Sequence, residues 1–362
     1  MTRPVDAEPA ATQRSLPDRG GPVISTLYTR LAGVAAHLPD ATLTTAQVED
    51  RLAERNPDLD LPRGLIYEGS GVRRRHVASV DDKPSDLAVR AVRSLLRDAD
   101  LQPGDIDLII YAGVCVDVIE PATAHIIAAK LGASCPVFDV RNACNSVLNA
   151  IEVADSLIRH QHYGRIVVCC GELPTAVTPW TLKDAAEFYT VAAAFTVSDA
   201  GAALLLEASP TPGVIAHRFV AQSADWDASV VPLHDMTNDL STGLPSLGPL
   251  TIDSVKLLHG LKSIDPAIVH KGLAEHGLTW DDFAVVCVHQ ASLSVLWKQC
   301  ETMGIPTGKV IVTISQHGNM VAATLPVQLA MAVQSGRLRR GDLVALLGVA
   351  SGFSAGLLIA RW

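Results

Sequence analysis

The sequence predicts an α/β fold of the layered, duplicated kind, and three observations lead there. Apolar runs rich in β-branched residues alternate with longer helical patterns, the second half repeats the first at a fixed spacing, and the apolar content is high. Of 362 residues, 48% are hydrophobic but only 4% aromatic. A core of Ala, Val and Leu at that content excludes a disordered chain, and the length suits two domains or one doubled domain.

Residues 1–22 carry Pro, Arg, Asp and Gly but no apolar h-region, so they read as a flexible lead-in rather than a signal peptide. From Val23 the pattern becomes regular. SDLAVRAVRSLLRDA, opening at Ser85 and Asp86, has helical periodicity. DLIIYAG, at Asp107–Gly113, is continuously apolar, as expected of a strand buried on both faces. The same pattern recurs at Arg165–Gly171, Ala202–Glu207, Ala284–His289, Lys309–Ile314 and Asp342–Gly348. A short strand-like FDV precedes the helical NSVLNAIEVADSLIRH. Sheets covered on both faces by helices follow from this alternation.

A shift of 177 residues lays Asp105 on Asp282, Ile109 on Val286, Asn142 on Asn319 and Gly164 on Gly341. A gap-free offset predicts a duplicated domain, with its boundary in the Pro-rich SPTPG near residue 210. The halves are then 23–209 and 210–362. Segments near 172–198 and 210–260 have no counterpart under the shift, which marks them as candidates for a lid, a tunnel wall or a subunit contact.

Several function classes drop out. With 29 Lys+Arg against 38 Asp+Glu the chain is acidic, which disfavours nucleic acid as a partner. No apolar run reaches the roughly 18–20 residues of a membrane span. Seven cysteines, an odd number without secretory features, read as reduced thiols in a cytoplasm. The absence of a Walker loop, a Rossmann fingerprint or a paired Cys-x-x-Cys leads us to expect neither a nucleotide cofactor nor a metal.

Three residues stand out chemically. Cys144 lies between FDV and the helix that follows, where unpaired N–H groups and the helix dipole favour a thiolate; a buried structural cysteine is the alternative. The other six, Cys115, Cys135, Cys169, Cys170, Cys287 and Cys300, lack that setting and read as structural. His289 leaves the end of a buried strand, where α/β folds place their sites, though a lone core-edge histidine would look the same. Asn319, after Gly318, opens a helical pattern and either fixes an oxygen or caps the helix. Under the repeat, Asn319 and the Cys144 region occupy equivalent helix starts, which would meet about a pseudo-two-fold axis.

LAGVAAHLPDATLTTAQVED, GVRRRHVA, NACNSVLNAIEVADSLI, SDAGAALLLE, VHQAS, HGNMVAATLP and GVASGFSAGLLIARW follow one another along the chain. Together they resemble the thiolase superfamily, and within it the β-ketoacyl-acyl-carrier-protein synthase III branch, from about Val23 to the last residue. The resemblance implies a five-layered αβαβα fold and a cytoplasmic homodimer whose substrates are acyl-CoA or an acyl carrier protein. It makes Cys144 the acyl-accepting nucleophile and gives His289 and Asn319 an enolate oxygen to stabilise. The oxyanion hole would use backbone N–H groups of Cys144 and Ser351. A Claisen condensation follows, with a decarboxylating malonyl thioester as the expected partner and specialised fatty-acid or polyketide chemistry as the setting. Acyl transfer to a hydroxyl or amine, and a non-catalytic partner subunit, are the alternatives.

The chain departs from the family pattern at three places. Ser292 stands where Asn usually follows His-Gln-Ala, and Ala350-Ser351-Gly352 replaces the usual Gly-Gly run. Glu120 stands where an apolar side chain usually crosses the dimer into the neighbour's acyl pocket. There the chain resembles the acyl-CoA condensing enzymes of olefin and β-lactone biosynthesis, in which that carboxylate removes an α-proton; a loop carboxylate capping the helix near Pro121 is the plainer reading. Arg73, Arg74 and Arg75 read either as phosphate contacts for coenzyme A or as a solvated charge run.

Overall fold

Strands that are apolar on both faces need two covers, and the computed structural model supplies them with helices. It describes residues 27–234, 245–263 and 265–362, so the lead-in expected at 1–22 lies outside the described residues, as does 235–244 of the unmatched second segment. The first part runs β1 (Tyr28–His37), α1 (Pro84–Asp98), β2 (Leu108–Tyr111), α2 (Thr123–Leu131), β3 (Val137–Asp139), α3 (Ser146–Arg159), β4 (Arg165–Glu172) and β5 (Ala200–Ser209). These strands form one sheet in the order β1-β5-β4-β2-β3. The second part runs β6 (Val214–Ala221), α4 (Ala267–Ala274), β7 (Phe283–Val288), α5 (Leu293–Met303), α6 (Thr324–Gln334), β8 (Leu343–Ala350) and β9 (Ser354–Arg361). Its sheet is ordered β7-β8-β9-β6.

The layers follow from the two-residue period of the strands. Leu108 and Ile110 of β2 face α3, whereas Ile109 and Tyr111 face the outer helices α1 and α2. The inner faces of both sheets, with Val168 and Leu204 on one and Val285 and Leu346 on the other, close on α3 and α6. The outer face of the second sheet is covered by α4 and α5 through Ile268, Leu273, Leu296 and Cys300. The result is α–β–α–β–α, with α3 and α6 forming the middle layer. No described helix is long and apolar enough to cross a membrane.

Matching turns begin 177 residues apart ahead of the candidate nucleophile (Pro103 and Trp280). After it, α3 and α6 begin 178 apart (Ser146 and Thr324), as do β4 and β8 (Arg165 and Leu343). The two left-handed residues Ala143 and Val321 share the longer spacing. One residue is thus inserted at the turn, and Ala322, rather than Val321, is the counterpart of Cys144.

Lys309–Ile314 is not the strand the sequence suggests. Only Val310 bridges to Val286, after a 3-10 turn at Thr307–Lys309. The reason is a side chain: Gln290 donates to the Ile311 carbonyl (2.6 Å) and accepts the Thr313 and Ile314 N–H groups (both 2.9 Å), so these backbone groups need no ladder.

Helix α1 sits hard against the first sheet because Gly201 has no side chain; a Cβ there would overlap the Leu87 carbonyl. Gly201→Ala is expected to lower unfolding stability by about 1–3 kcal/mol, read as a reduced urea midpoint at unchanged slope. An unchanged midpoint would contradict this packing.

Candidate active site

The nucleophile turn is built from short-range bonds. Ala143 holds a positive φ of 46°, uncommon for a residue with a Cβ. The Ser146 hydroxyl fixes the turn by accepting the Asn142 N–H (2.8 Å) and donating to the Ala143 carbonyl (2.7 Å). Cys144, half-buried, therefore precedes the helix cap Asn145 rather than lying in the first turn of α3. The buried Asn145 amide donates to the Ser354 carbonyl (3.1 Å) and hydroxyl (2.9 Å). This clamps the turn to the β8–β9 hairpin, whose tip contains Ser351 and Gly352. Gly352, at φ 126°, adopts a conformation that favours glycine. Gly348 is required for a second reason: any side chain there would strike the Asn145 amide oxygen.

His289 continues the ladder beyond β7, donating its N–H to the Leu347 carbonyl at 2.8 Å. Gln290 and Gln328, both fully buried, brace it from either side. Gln328 of α6 donates to the Val288 carbonyl (2.9 Å), and Gln290 grips the segment that leads to Asn319. That segment makes one helical turn, Ile314–His317, and then Gly318 at φ 67°. A Cβ on Gly318 would come within 2.9 Å of the Thr196 carbonyl, which accepts the Asn319 N–H at 2.9 Å.

Asn319 does not open the α-helix as the sequence suggests. It precedes a 3-10 turn (Val321–Ala323), and α6 starts only at Thr324. Its side-chain oxygen accepts the Val321 N–H (3.0 Å), which fixes the amide so that the NH2 group remains as the donor.

The electrostatics overturn one expectation. Burial pushes the Cys144 thiol up to about 12, the charge of Glu172 adds to that, and a backbone hydrogen bond opposes it only partly. Burial therefore opposes the thiolate that the helix start favours. Burial also lowers His289 to about 4, and its Nδ1 finds no hydrogen-bond partner among the described residues. Neutral thiol and neutral imidazole are therefore the resting forms near neutral pH.

The remaining candidates separate. Arg75 is 2% exposed and donates to the Thr45 hydroxyl (3.0 Å), with burial lowering it to about 10. Arg73 and Arg74 are exposed; Arg73 bonds the Tyr67 hydroxyl (2.9 Å), and its N–H reaches the Ser315 carbonyl just ahead of Asn319. Glu120 is exposed on the loop after β2, beside Ile119, which is 79% exposed. It does not cap α2: Asp139 accepts the Thr123 and Ala124 N–H groups instead (2.8 and 2.9 Å). Ser292 caps α5 by accepting the Val295 N–H. All seven cysteines are free.

Sequence reasoning missed Asn145, Gln290, Gln328 and Glu172. Each was visible as a polar residue breaking an apolar pattern, and Glu172 ends the otherwise apolar RIVVCCG.

Residues 138–223 match the family described as 3-oxoacyl-[acyl-carrier-protein] synthase III, and residues 273–362 match its C-terminal region. Among solved structures the chain is similar to Xanthomonas campestris OleA bound to cerulenin: 25% identity over 94% of this chain and 100% of that one, TM-score 0.82. It is similar to a Cys-to-Ser variant of OleA with bound lauric acid and lauroyl-CoA: 25% identity over 92% and 99%, TM-score 0.79. A Glu-to-Asp variant of OleA aligns at 25% identity over 96% and 100%, TM-score 0.80.

Between about 4 and the ordinary 6.5 of imidazole, the unfolded chain binds a proton that buried His289 refuses. Stability supported by the neutral ring is thus lost as pH falls through that window. An NMR titration should show His289 neutral from about pH 5 to 8; a midpoint inside that range would contradict this environment.

Proposed function

The chain belongs to the thiolase superfamily, among the 3-oxoacyl-acyl-carrier-protein synthase III-like condensing enzymes, and from that premise we propose how its own residues carry out an acyl-thioester condensation. Cys144 takes an acyl group from coenzyme A or a carrier protein, and the enzyme joins it to a second thioester to give a β-ketoacyl product. The observation that carries this reading is geometric: Asn145 clamps the Cys144 turn to the β8–β9 hairpin, and Gln290, next to His289, grips the segment that leads to Asn319, whose amide oxygen is already occupied.

As the Cys144 sulfur bonds to the acyl carbon, its proton passes to neutral His289 and on to the departing thiolate. Splitting the reaction into a thioester exchange and a separate carbon–carbon bond-forming step replaces one difficult step with two easier ones. Backbone N–H groups of Cys144 and Ser351 take the charge on the tetrahedral oxygen. In the second half-reaction the other thioester becomes a carbanion, and the neutral donors His289 and Asn319 hold its enolate oxygen. The carbanion attacks the acyl-Cys144 carbonyl, the C–S bond breaks, and the thiolate regains a proton.

A malonyl thioester yields the carbanion by losing carbon dioxide. A second reading removes an α-proton from an ordinary acyl-CoA, and the exposed Ile119-Glu120 loop favours it. In a homodimer that loop enters the partner's acyl pocket, as the resemblance to the olefin and β-lactone condensing enzymes implies. Arg73 and Arg74, on the surface before Asn319, then meet the phosphates of coenzyme A or of a carrier protein's pantetheine arm. We also read 23–209 and 210–362 as duplicated halves, supported by the two matching sheets. A cytoplasmic setting accords with seven free thiols.

Incubation with long-chain acyl-CoA, with and without malonyl-CoA, should give an acyl adduct that Cys144→Ala abolishes in intact-mass spectra; an adduct surviving that change refutes the nucleophile. Under the proton-abstraction reading, Glu120→Ala cuts β-keto product from acyl-CoA alone by about 100-fold or more. Full activity in that variant would remove Glu120 from the mechanism.

A further inference from the structure

One buried titratable group is not used by the mechanism above. Glu172, the last residue of β4, is fully buried in an apolar strand. Its carboxylate accepts the Val114 N–H (2.8 Å) and the Cys115 N–H (3.2 Å) from the loop that leads to Glu120. The backbone of Ala322, three residues past Asn319, lies close enough to favour the carboxylate's charged form. The Val321–Ala323 turn packs against both β4 and α3, the helix that follows Cys144. A single carboxylate thus joins the loop before Glu120 and the turn after Asn319, next to the nucleophile.

We propose that Glu172 is a positioning residue for the condensation: it ties these two segments together beside Cys144, and its charge opposes loss of the Cys144 proton. The inference rests on the reading of Cys144 as nucleophile. The groups facing Glu172 are Tyr111 of β2, Cys115 of the loop, Cys170 of its own strand and Cys144, each of which feels its charge. Asp199 acts on Cys115 as well, and Arg141, two residues before Ala143, donates to the Val114 carbonyl at 3.2 Å. Tyr111 donates its hydroxyl to the Cys115 and Gly171 carbonyls, so it holds the loop rather than the carboxylate.

Burial raises Glu172 to about 7, partly offset by the N–H groups it accepts. The group therefore changes charge near neutral pH. Below that value Glu172 is neutral and Cys144 ionises more readily; above it the anion raises the cost of a second negative charge in the same apolar layer. Loss of the Glu172 proton also strengthens its grip on the two segments, because charged acceptors bind N–H groups more tightly. Ionisation of Glu172 thus tightens the site while it slows the rise of thiol readiness with pH.

The test is alkylation of Cys144 by iodoacetamide, followed across pH and located by peptide mass spectrometry, which needs no turnover. In the native protein the logarithm of the rate should rise with pH, flatten near 7, and rise again. Glu172→Gln should remove the flattening and alkylate about tenfold faster above pH 8, equivalent to about one unit in the thiol's pKa. Glu172→Asp, which keeps the charge, should keep the flattening. A native profile without the inflection, or the same inflection in Glu172→Gln, overturns the proposal. Labelling confined to another cysteine would instead count against the nucleophile assignment.

Discussion

Helices α3 and α6 lie in one layer between two apolar sheets, so both helix starts open into protein rather than water. Polar groups at those starts then need partners inside, and among the described residues Asn145 Oδ1, Thr324 Oγ1 and Gln328 Oε1 have none. Asn145 answers for one start by bonding Ser354, and Gln328 ties the other helix to Val288. Gln290 satisfies three backbone groups ahead of Asn319. The candidate site is what remains where those obligations meet: a thiol, an imidazole and an amide NH2, held on turns that cannot shift without breaking buried hydrogen bonds.

The same burial decides the chemistry. A charge in this layer is costly, and among the described residues no cation acts on the thiol to offset it. Desolvation raises Cys144 and lowers His289, so both are neutral at rest. Neutral donors suit an enolate, because they can share its charge without first giving up one of their own. The helix dipole, which would favour a thiolate at the surface, is too weak here: contributions of about 0.3–1 kcal/mol at a helix end do not match the desolvation of an ion.

Much of the architecture was legible because it rests on periodicity. Continuous apolar runs marked strands with two covered faces. What stayed hidden depended on individual side chains acting on backbone. Lys309–Ile314 has strand composition, but Gln290 takes its hydrogen bonds. Asn319 looked like a helix start, yet a 3-10 turn intervenes. In the short strand Arg74–His76 side chains alternate, so with Arg74 outward Arg75 turns inward, while Arg73 precedes the strand. For Cys144 the sequence shows the helix position that favours a thiolate but not the desolvation that opposes it. Glu172 was legible only as a charge ending an apolar strand.

The central claim is that the candidate nucleophile rests as a neutral thiol in an apolar layer. It is tested most directly by the ultraviolet absorbance of thiolate, taken as the difference between the native protein and Cys144→Ser across pH. The account predicts no thiolate from Cys144 below about pH 9. A thiolate already present near neutral pH would contradict it, and would return the nucleophile to activation by its helix.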